Sequence, residues 1–304
     1  MHWRNSLILV LQTLVFCSAP YTHASERLRV ALLEFQGDEN RLVTTALAKS
    51  LAEDTRIALV DLRQAAAAAN GFGYDGSLNL TVEDARRLGA AIGCEFYILG
   101  KTFTTLRRSV EKTTYGESLI AIFIVDARAG RLVKFDHALT KGETPQSAQD
   151  ESLSAIKNRI PEYISNMSSQ RAEQLSLLQQ AEAEPIEEMP EEGSPQAAGF
   201  KPPQTFRRYI PEITELARLA EVTATVELAV VFHSDGRIGK IDVLRWAGFG
   251  LDESAIKTAR EIKFKPATRN NLPISVRAVL QYRFKFLTEI PTIKNKKLLE
   301  SRSN

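Results

Sequence analysis

Between Thr223 and Phe286 two runs of apolar–polar alternation flank one amphipathic helical stretch, an order that few folds accept. In the first run Ala224, Val226, Leu228, Val230 and Phe232 fall on one side. Alternate side chains of a strand point to opposite faces, so this period predicts a half-buried strand over Thr223–Phe232. Ser234-Asp235-Gly236 has the composition of a tight turn, and Ile238–Arg245 follows as the hairpin partner. The period then changes. Ala255, Ile256, Ala259 and Ile262 form the stripe of a helix, with Asp252 expected as its N-cap and Leu251 and Ile256 at the spacing of a hydrophobic staple. After a loop holding Pro273, Ile274–Phe286 alternates again. Val276, Ala278, Leu280, Tyr282, Phe284 and Phe286 lie inward, and Arg277, Gln281, Arg283 and Lys285 outward. The order is ββαβ with one long final strand in a three-stranded antiparallel sheet, preceded by a short helix over Glu212–Leu219.

The first half has a different grammar. Leu28–Phe35 is almost continuously apolar, as in a strand covered on both faces. A helix follows with Leu42, Ala46, Leu47 and Leu51 on one side, then a short strand at Ile57–Val60. Asp61 can cap the alanine-rich helix after it, and Thr81 with Asp84 has capping-box spacing for a helix through Ala85, Leu88 and Ile92. Three strands are expected at Phe96–Leu106, Ser118–Val125 and Leu132–Leu139, the last two joined through Ala129-Gly130, with a closing helix over Ser147–Ile164. This βαβααβββα order gives an α/β sandwich: one layer of sheet with helices packed on it. Gly71 to Gly76 spell GxGxxG, but the glycines follow a helix instead of opening one after a strand, so the string is a turn and not a dinucleotide site.

Glu182, Glu184, Glu187, Glu188, Glu191 and Glu192 occur with no basic residue among them and are interrupted by Pro185, Pro190 and Pro195. Self-repulsion and proline predict an extended, unpacked linker over 167–203, and a flexible chain of that size reaches roughly 30–35 Å. At the other end of the chain, Arg4 precedes an apolar run from Ser6 to Phe16, and Thr22-His23-Ala24 resembles a small-x-small cleavage motif before Ser25. A spanning helix needs about 20 apolar residues. Residues 1–24 are therefore read as a cleaved export signal cut between Ala24 and Ser25, which places the mature protein in the periplasm. The alternative is an uncleaved inner-membrane anchor through residues 6–20, the only way this chain would touch a membrane. Cleavage would leave Cys94 alone, at the entry to an apolar strand, as a small core residue.

The motifs DGRI (235–238), LDESAI (251–256) and KFKPAT (263–268), followed by the terminal strand, make residues 206–286 similar to the TonB C-terminal family. Arg245-Trp246-Ala247 departs from the small-residue pair usual before Gly248. Residues 27–156 resemble the CsgG/TolB-N/LpoB-like periplasmic domains through RVALLEF (29–35), RIALVDLRQ (56–64), ARRLGAAIGCEFYILGKTF (85–103) and FIVDARAGRLVKF (123–135). The expected organisation is a signal (1–24), a CsgG/TolB-N-like α/β domain (25–166), the linker (167–203), a TonB C-terminal domain (204–287) and a basic tail (288–304).

The first resemblance implies a docking part that is not an enzyme. By it the strand Ser275, Val276, Arg277, Ala278, Val279, Leu280, Gln281, Tyr282, Arg283, Phe284 and Lys285 adds an extended segment of an outer-membrane TonB-dependent receptor or another envelope protein, and it leaves a homodimer through this domain open. Residues 201–304 carry 19 lysines and arginines against 11 acidic residues, which favours an acidic partner. TonB itself carries an uncleaved N-terminal helix with a histidine for motor coupling and a long proline-rich spacer. Here Ser6–Phe16 contains no histidine, so energy transduction proper is not implied. The second resemblance implies an alternative, an envelope assembly or peptidoglycan-synthesis-regulating scaffold. No catalytic residue, cofactor, metal site or nucleic-acid surface is expected. His2, His23, His137 and His233 are scattered without metal-ligand spacing, and no nucleophile context stands out.

Overall fold

The computed structural model describes residues 27–108, 114–177, 186–191 and 193–286; Ala24, Ser25, the apolar run before them and the basic tail lie outside the described residues. In the first half, strand β1 (Leu28–Leu32) leads through α1 (Leu42–Ala52) to β2 (Ile57–Leu59). Next come α2 (Leu62–Phe72) and α3 (Val82–Ile92). The caps are those the sequence suggests: Asp61 Oδ1 accepts from the amides of Arg63 and Gln64, and the Thr81 hydroxyl accepts from that of Asp84. Strands β3 (Phe96–Arg107), β4 (Tyr115–Asp126) and β5 (Leu132–Gly142) complete a sheet of order β2-β1-β3-β4-β5, parallel through β3 and antiparallel beyond.

The closing helix is two helices, α4 (Pro145–Asn158) and α5 (Ile160–Leu177). Pro161 has no N–H to continue the ladder of α4, so the chain breaks at Arg159 and restarts. The break is fastened to β5: Arg159 Nη1 donates to Asp136 Oδ1 at 2.9 Å, and the Tyr163 hydroxyl donates to Asp136 Oδ2 at 2.6 Å.

Successive residues of each central strand feed opposite faces of the sheet. Val30, Leu32, Ile98, Ile120 and Ile122 meet Leu47 and Leu51 of α1 and Ile156, Tyr163 and Ile164 of α4 and α5. Ala31, Leu33, Tyr97, Leu99, Ala121 and Phe123 meet Ala65, Ala69, Ala85 and Leu88 of α2 and α3. Helices cover both faces, which is why these strands read as nearly continuous apolar runs.

Within the expected linker come β6 (Glu187–Glu188), a 3-10 turn at Pro195–Ala197 and β7 (Phe200–Lys201); β8 (Gln204–Thr205) and α6 (Glu215–Leu219) follow it. The second half proper is β9 (Ala224–Phe232), β10 (Ile238–Arg245), α7 (Leu251–Arg260), β11 (Phe264–Lys265), β12 (Ala267–Arg269), β13 (Leu272–Ile274) and β14 (Val276–Phe284). Its main sheet has the order β10-β9-β14-β6. The loop expected around Pro273 is instead a hairpin of β12 and β13. Asn270 and Asn271 turn it with φ of 51° and 66°, the left-handed pair that a tight hairpin needs and asparagine tolerates.

The linker is not free. The part expected to stay unpacked pairs twice with the second half, β6 with β14 and β7 with β12, and just after it β8 pairs with β11. Nor does the second half hang from it. The face of the first sheet that carries Phe123 shares one continuous apolar core with β9, β14 and α7. Phe123 and Phe135 meet Phe249 at ring-centroid distances of 5.7 and 5.0 Å, and Trp246 lies 5.6 Å from Phe123. Trp246 is 1 % exposed, and its indole N–H donates to the Gly130 carbonyl at 3.3 Å. Gly248, with φ of +68°, lets the chain slide under these rings: a Cβ there would sit 2.4 Å from Phe123 Cε1. Polar contacts seal the rim. Asn79 Nδ2 donates to the carbonyls of Thr225 and Trp246 (2.8 and 2.7 Å), its Oδ1 accepts from the Thr225 amide (2.9 Å), and Lys101 Nζ donates to the Ala220 carbonyl (2.9 Å).

Asp252 does not cap α7. Gly250, with φ of +75°, is the N-cap, and the Asp252 carboxylate turns back to accept from the amides of Ala247 (2.9 Å) and Gly248 (2.7 Å). The helix starts two residues earlier than expected, so Asp252 falls inside its first turn and ties down the segment bearing Trp246. Burial pushes its carboxyl up to about 6.

Candidate docking edge

All nine residues of β14 pair antiparallel with β9, from Val276 opposite Phe232 to Phe284 opposite Ala224. On the other side β6 runs parallel to the strand and meets only Val276 and Arg277. Among the described residues no strand lies beyond it along Ala278–Phe284.

The Met189 amide donates to the Arg277 carbonyl at 3.1 Å. A strand residue sends its N–H and C=O to the same side, and neighbours alternate. Arg277, Val279, Gln281 and Arg283 therefore aim their backbone groups away from β9, while Val276, Ala278, Leu280, Tyr282 and Phe284 aim theirs at it. Past Arg277, the donors and acceptors of Val279, Gln281 and Arg283 face an edge that no strand among the described residues pairs.

Side chains divide as the alternation predicts. Val276, Ala278 and Phe284 are buried, Leu280 and Tyr282 half-buried, and burial raises the Tyr282 phenol. Val279, Gln281 and Arg283 are exposed; Val279 is an apolar residue 51 % open to solvent on this outer side of the strand. Of the residues named at the two ends, Ser275 accepts from the Ser234 amide through its hydroxyl at 3.0 Å and so holds the tip of the β9–β10 hairpin, while Lys285 lies just past the strand and is exposed.

Two arginines hold the acidic segment at the start of the edge. Arg277 Nη1 lies 3.2 Å from Glu188 Oε1, and Arg269 Nη2 lies 2.8 Å from Glu187 Oε2. Arg269 also donates to the Gln196 carbonyl at 3.0 Å and stacks 5.7 Å above the Phe200 ring, so one side chain gathers three points of the linker. The sequence pattern singled out Arg277 but not Arg269, which sits in the β12–β13 hairpin; its spacing from the linker glutamates carries no local signal.

Elsewhere the chemistry is muted. Burial pushes the Cys94 thiol up to about 12, which leaves it protonated and unreactive. Burial lowers the His137 imidazole. Among the described residues no group of histidine, cysteine and acidic side chains could hold a metal ion, and no helix is long and apolar enough to cross a membrane.

Residues 213–286, the stretch that carries the open edge, match the family described as Gram-negative bacterial TonB protein C-terminal. No curated protein matches the chain. The solved TonB C-terminal domain of Pseudomonas aeruginosa is 22 % identical and covers 32 % of this chain and 95 % of its own, with a TM-score of 0.25. The LpoB C-terminal domain of Salmonella enterica is 12 % identical, over 39 % of this chain and 86 % of its own, with a TM-score of 0.27. The hypothetical protein CT253 of Chlamydia trachomatis is 12 % identical, over 45 % and 98 %, with a TM-score of 0.33.

Proposed function

We propose that this chain is a non-enzymatic envelope protein whose second half accepts an extended segment of a partner as an added strand along Ser275–Lys285. The observation that carries this reading is the backbone of Val279, Gln281 and Arg283, which no strand among the described residues pairs on its outer side, within residues that match a TonB C-terminal family. An edge of free donors and acceptors supplies affinity through main-chain hydrogen bonds, and alternate side chains supply selectivity. The partner class is an outer-membrane TonB-dependent receptor, and the protein works in the periplasm after cleavage at Ala24–Ser25. The first half, a CsgG/TolB-N-like domain, is carried as a second recognition surface.

The test is calorimetric titration of the mature protein with peptides from receptor N-terminal segments. Gln281→Pro removes one outward N–H and leaves the β9 ladder in place, since proline is tolerated on a strand edge. Binding should weaken by about tenfold or more, from loss of one main-chain hydrogen bond and its register, with the far-UV circular dichroism unchanged. Absence of binding by the unaltered protein would sink the reading.

One feature favours a second reading. The aromatic seam joins the two halves, so they present their surfaces as one body, as an assembly or peptidoglycan-synthesis-regulating scaffold requires. In-cell crosslinking that recovers mainly a cell-wall synthase points to this reading; recovery of a transporter points to the first. Recovery of a dimer would assign the edge to a second copy of this chain.

A further inference from the structure

The edge is already partly filled. Glu187–Glu188 lies along β14 in the orientation of an added strand, with the Met189 amide bonded to the Arg277 carbonyl and each glutamate facing an arginine. These residues come from the acidic, proline-broken segment, whose composition gives no reason to order by itself. Its ordering is induced by the edge: two ion pairs and a main-chain hydrogen bond capture it where the arginines stand. The alternation turns the backbone of Pro190 away from β14, and among the described residues the pairing of this segment ends at Met189, so the intramolecular strand is short.

We infer that Glu187–Met189 is a built-in competitor of the partner segment, a cis strand that must leave before an incoming strand can engage the full length of β14. The inference rests on the strand-addition reading above and adds to it a gate and a ligand chemistry. The resident segment displays what the edge selects: an extended peptide, parallel to β14, with carboxylates reaching Arg277 and Arg269 and a backbone N–H for the Arg277 carbonyl. A partner longer than the resident continues past Arg277 onto Val279, Gln281 and Arg283, where the resident offers nothing. Its advantage over the tethered competitor comes from those additional bonds. The ion pairs are exposed, so the resident's hold weakens as ionic strength rises.

The experiment uses the mature protein, two variants and one defined probe: a fluorescent synthetic peptide copying residues 184–191 of this chain. Glu187→Lys with Glu188→Lys reverses both ion pairs at exposed positions. Met189→Pro leaves the charges and deletes the one amide. Hydrogen exchange over residues 275–285 is measured first, and each variant should expose this stretch faster than the unaltered protein. The peptide, added in trans and followed by anisotropy, should then bind each variant about tenfold more tightly than the unaltered protein, because a tethered competitor acts at millimolar effective concentration. Equal exchange in all three proteins overturns the cis strand itself. Equal peptide affinity overturns the gate while strand addition stands. Faster exchange with no peptide binding by any protein sinks strand addition, and the gate with it.

Discussion

Replacing Trp246 by alanine is expected to lower the unfolding free energy by about 3–5 kcal/mol, the usual range for deleting a buried aromatic side chain and leaving a cavity. The side chain is fully enclosed between Phe123 and the backbone at Gly130, and its indole N–H is paired there. The loss falls on the seam, so unfolding should divide into two transitions, one for each half. Trp3 and Trp246 are the only tryptophans. The substituted protein is therefore followed by circular dichroism in urea. A companion Phe249→Ala keeps Trp246 as a fluorescent reporter of the seam. There fluorescence should change at lower urea than circular dichroism. Coincident transitions at an unshifted midpoint would refute a seam of this importance.

Asp252 gives the second large effect, with an unusual sign. Burial raises its carboxyl from the ordinary 3.8 to about 6 in the folded protein. Between those two values the folded state holds a proton that the unfolded state has lost, so stability from this group rises as pH falls through 6 and levels off below 3.8. Above 6 the full penalty of a buried charge is present, about 3 kcal/mol for a shift of this size. The two backbone amides it binds favour the charged form and hold the shift to that value. Asp252→Asn removes this pH dependence at the cost of one acceptor for the Ala247 or Gly248 amide. The difference between the two stability curves over pH 4.5–7.5 isolates the group. The unaltered protein should gain relative to the variant on acidification; parallel curves would exclude the assignment.

Local patterns carried into the structure, and distant ones did not. Val226, Leu228 and Val230 recur at every second residue, so strand and inward face follow directly, as do the caps at Asp61 and Thr81. Asp252 shows where that logic fails. The residue has the chemistry of an N-cap, but Gly250 takes the left-handed turn that starts α7, and the carboxylate is drawn to amides on the other side. Trp246 stood out in the sequence only as a bulky intruder where the family has small residues. Its purpose depends on Gly130, 116 residues away. Asn79 gave no signal at all, although it bonds to backbone 146 and 167 residues away. Likewise, a run of glutamates between prolines has no periodicity from which two paired residues could be foreseen; the arginines that order Glu187 and Glu188 lie 82 and 89 residues downstream.

The aromatic seam also changes how far the docking edge can reach. A head on a loose string samples every separation its string allows, and lengthening the string widens the search. Packed through Phe123, Phe135, Trp246 and Phe249, β14 keeps a set separation and angle from the opposite surface of the first sheet. The molecule then works as a pair of calipers. A ligand with two contact points is gripped at both only when their spacing matches the jaw, and inserting residues into the segment between the halves leaves that spacing unchanged.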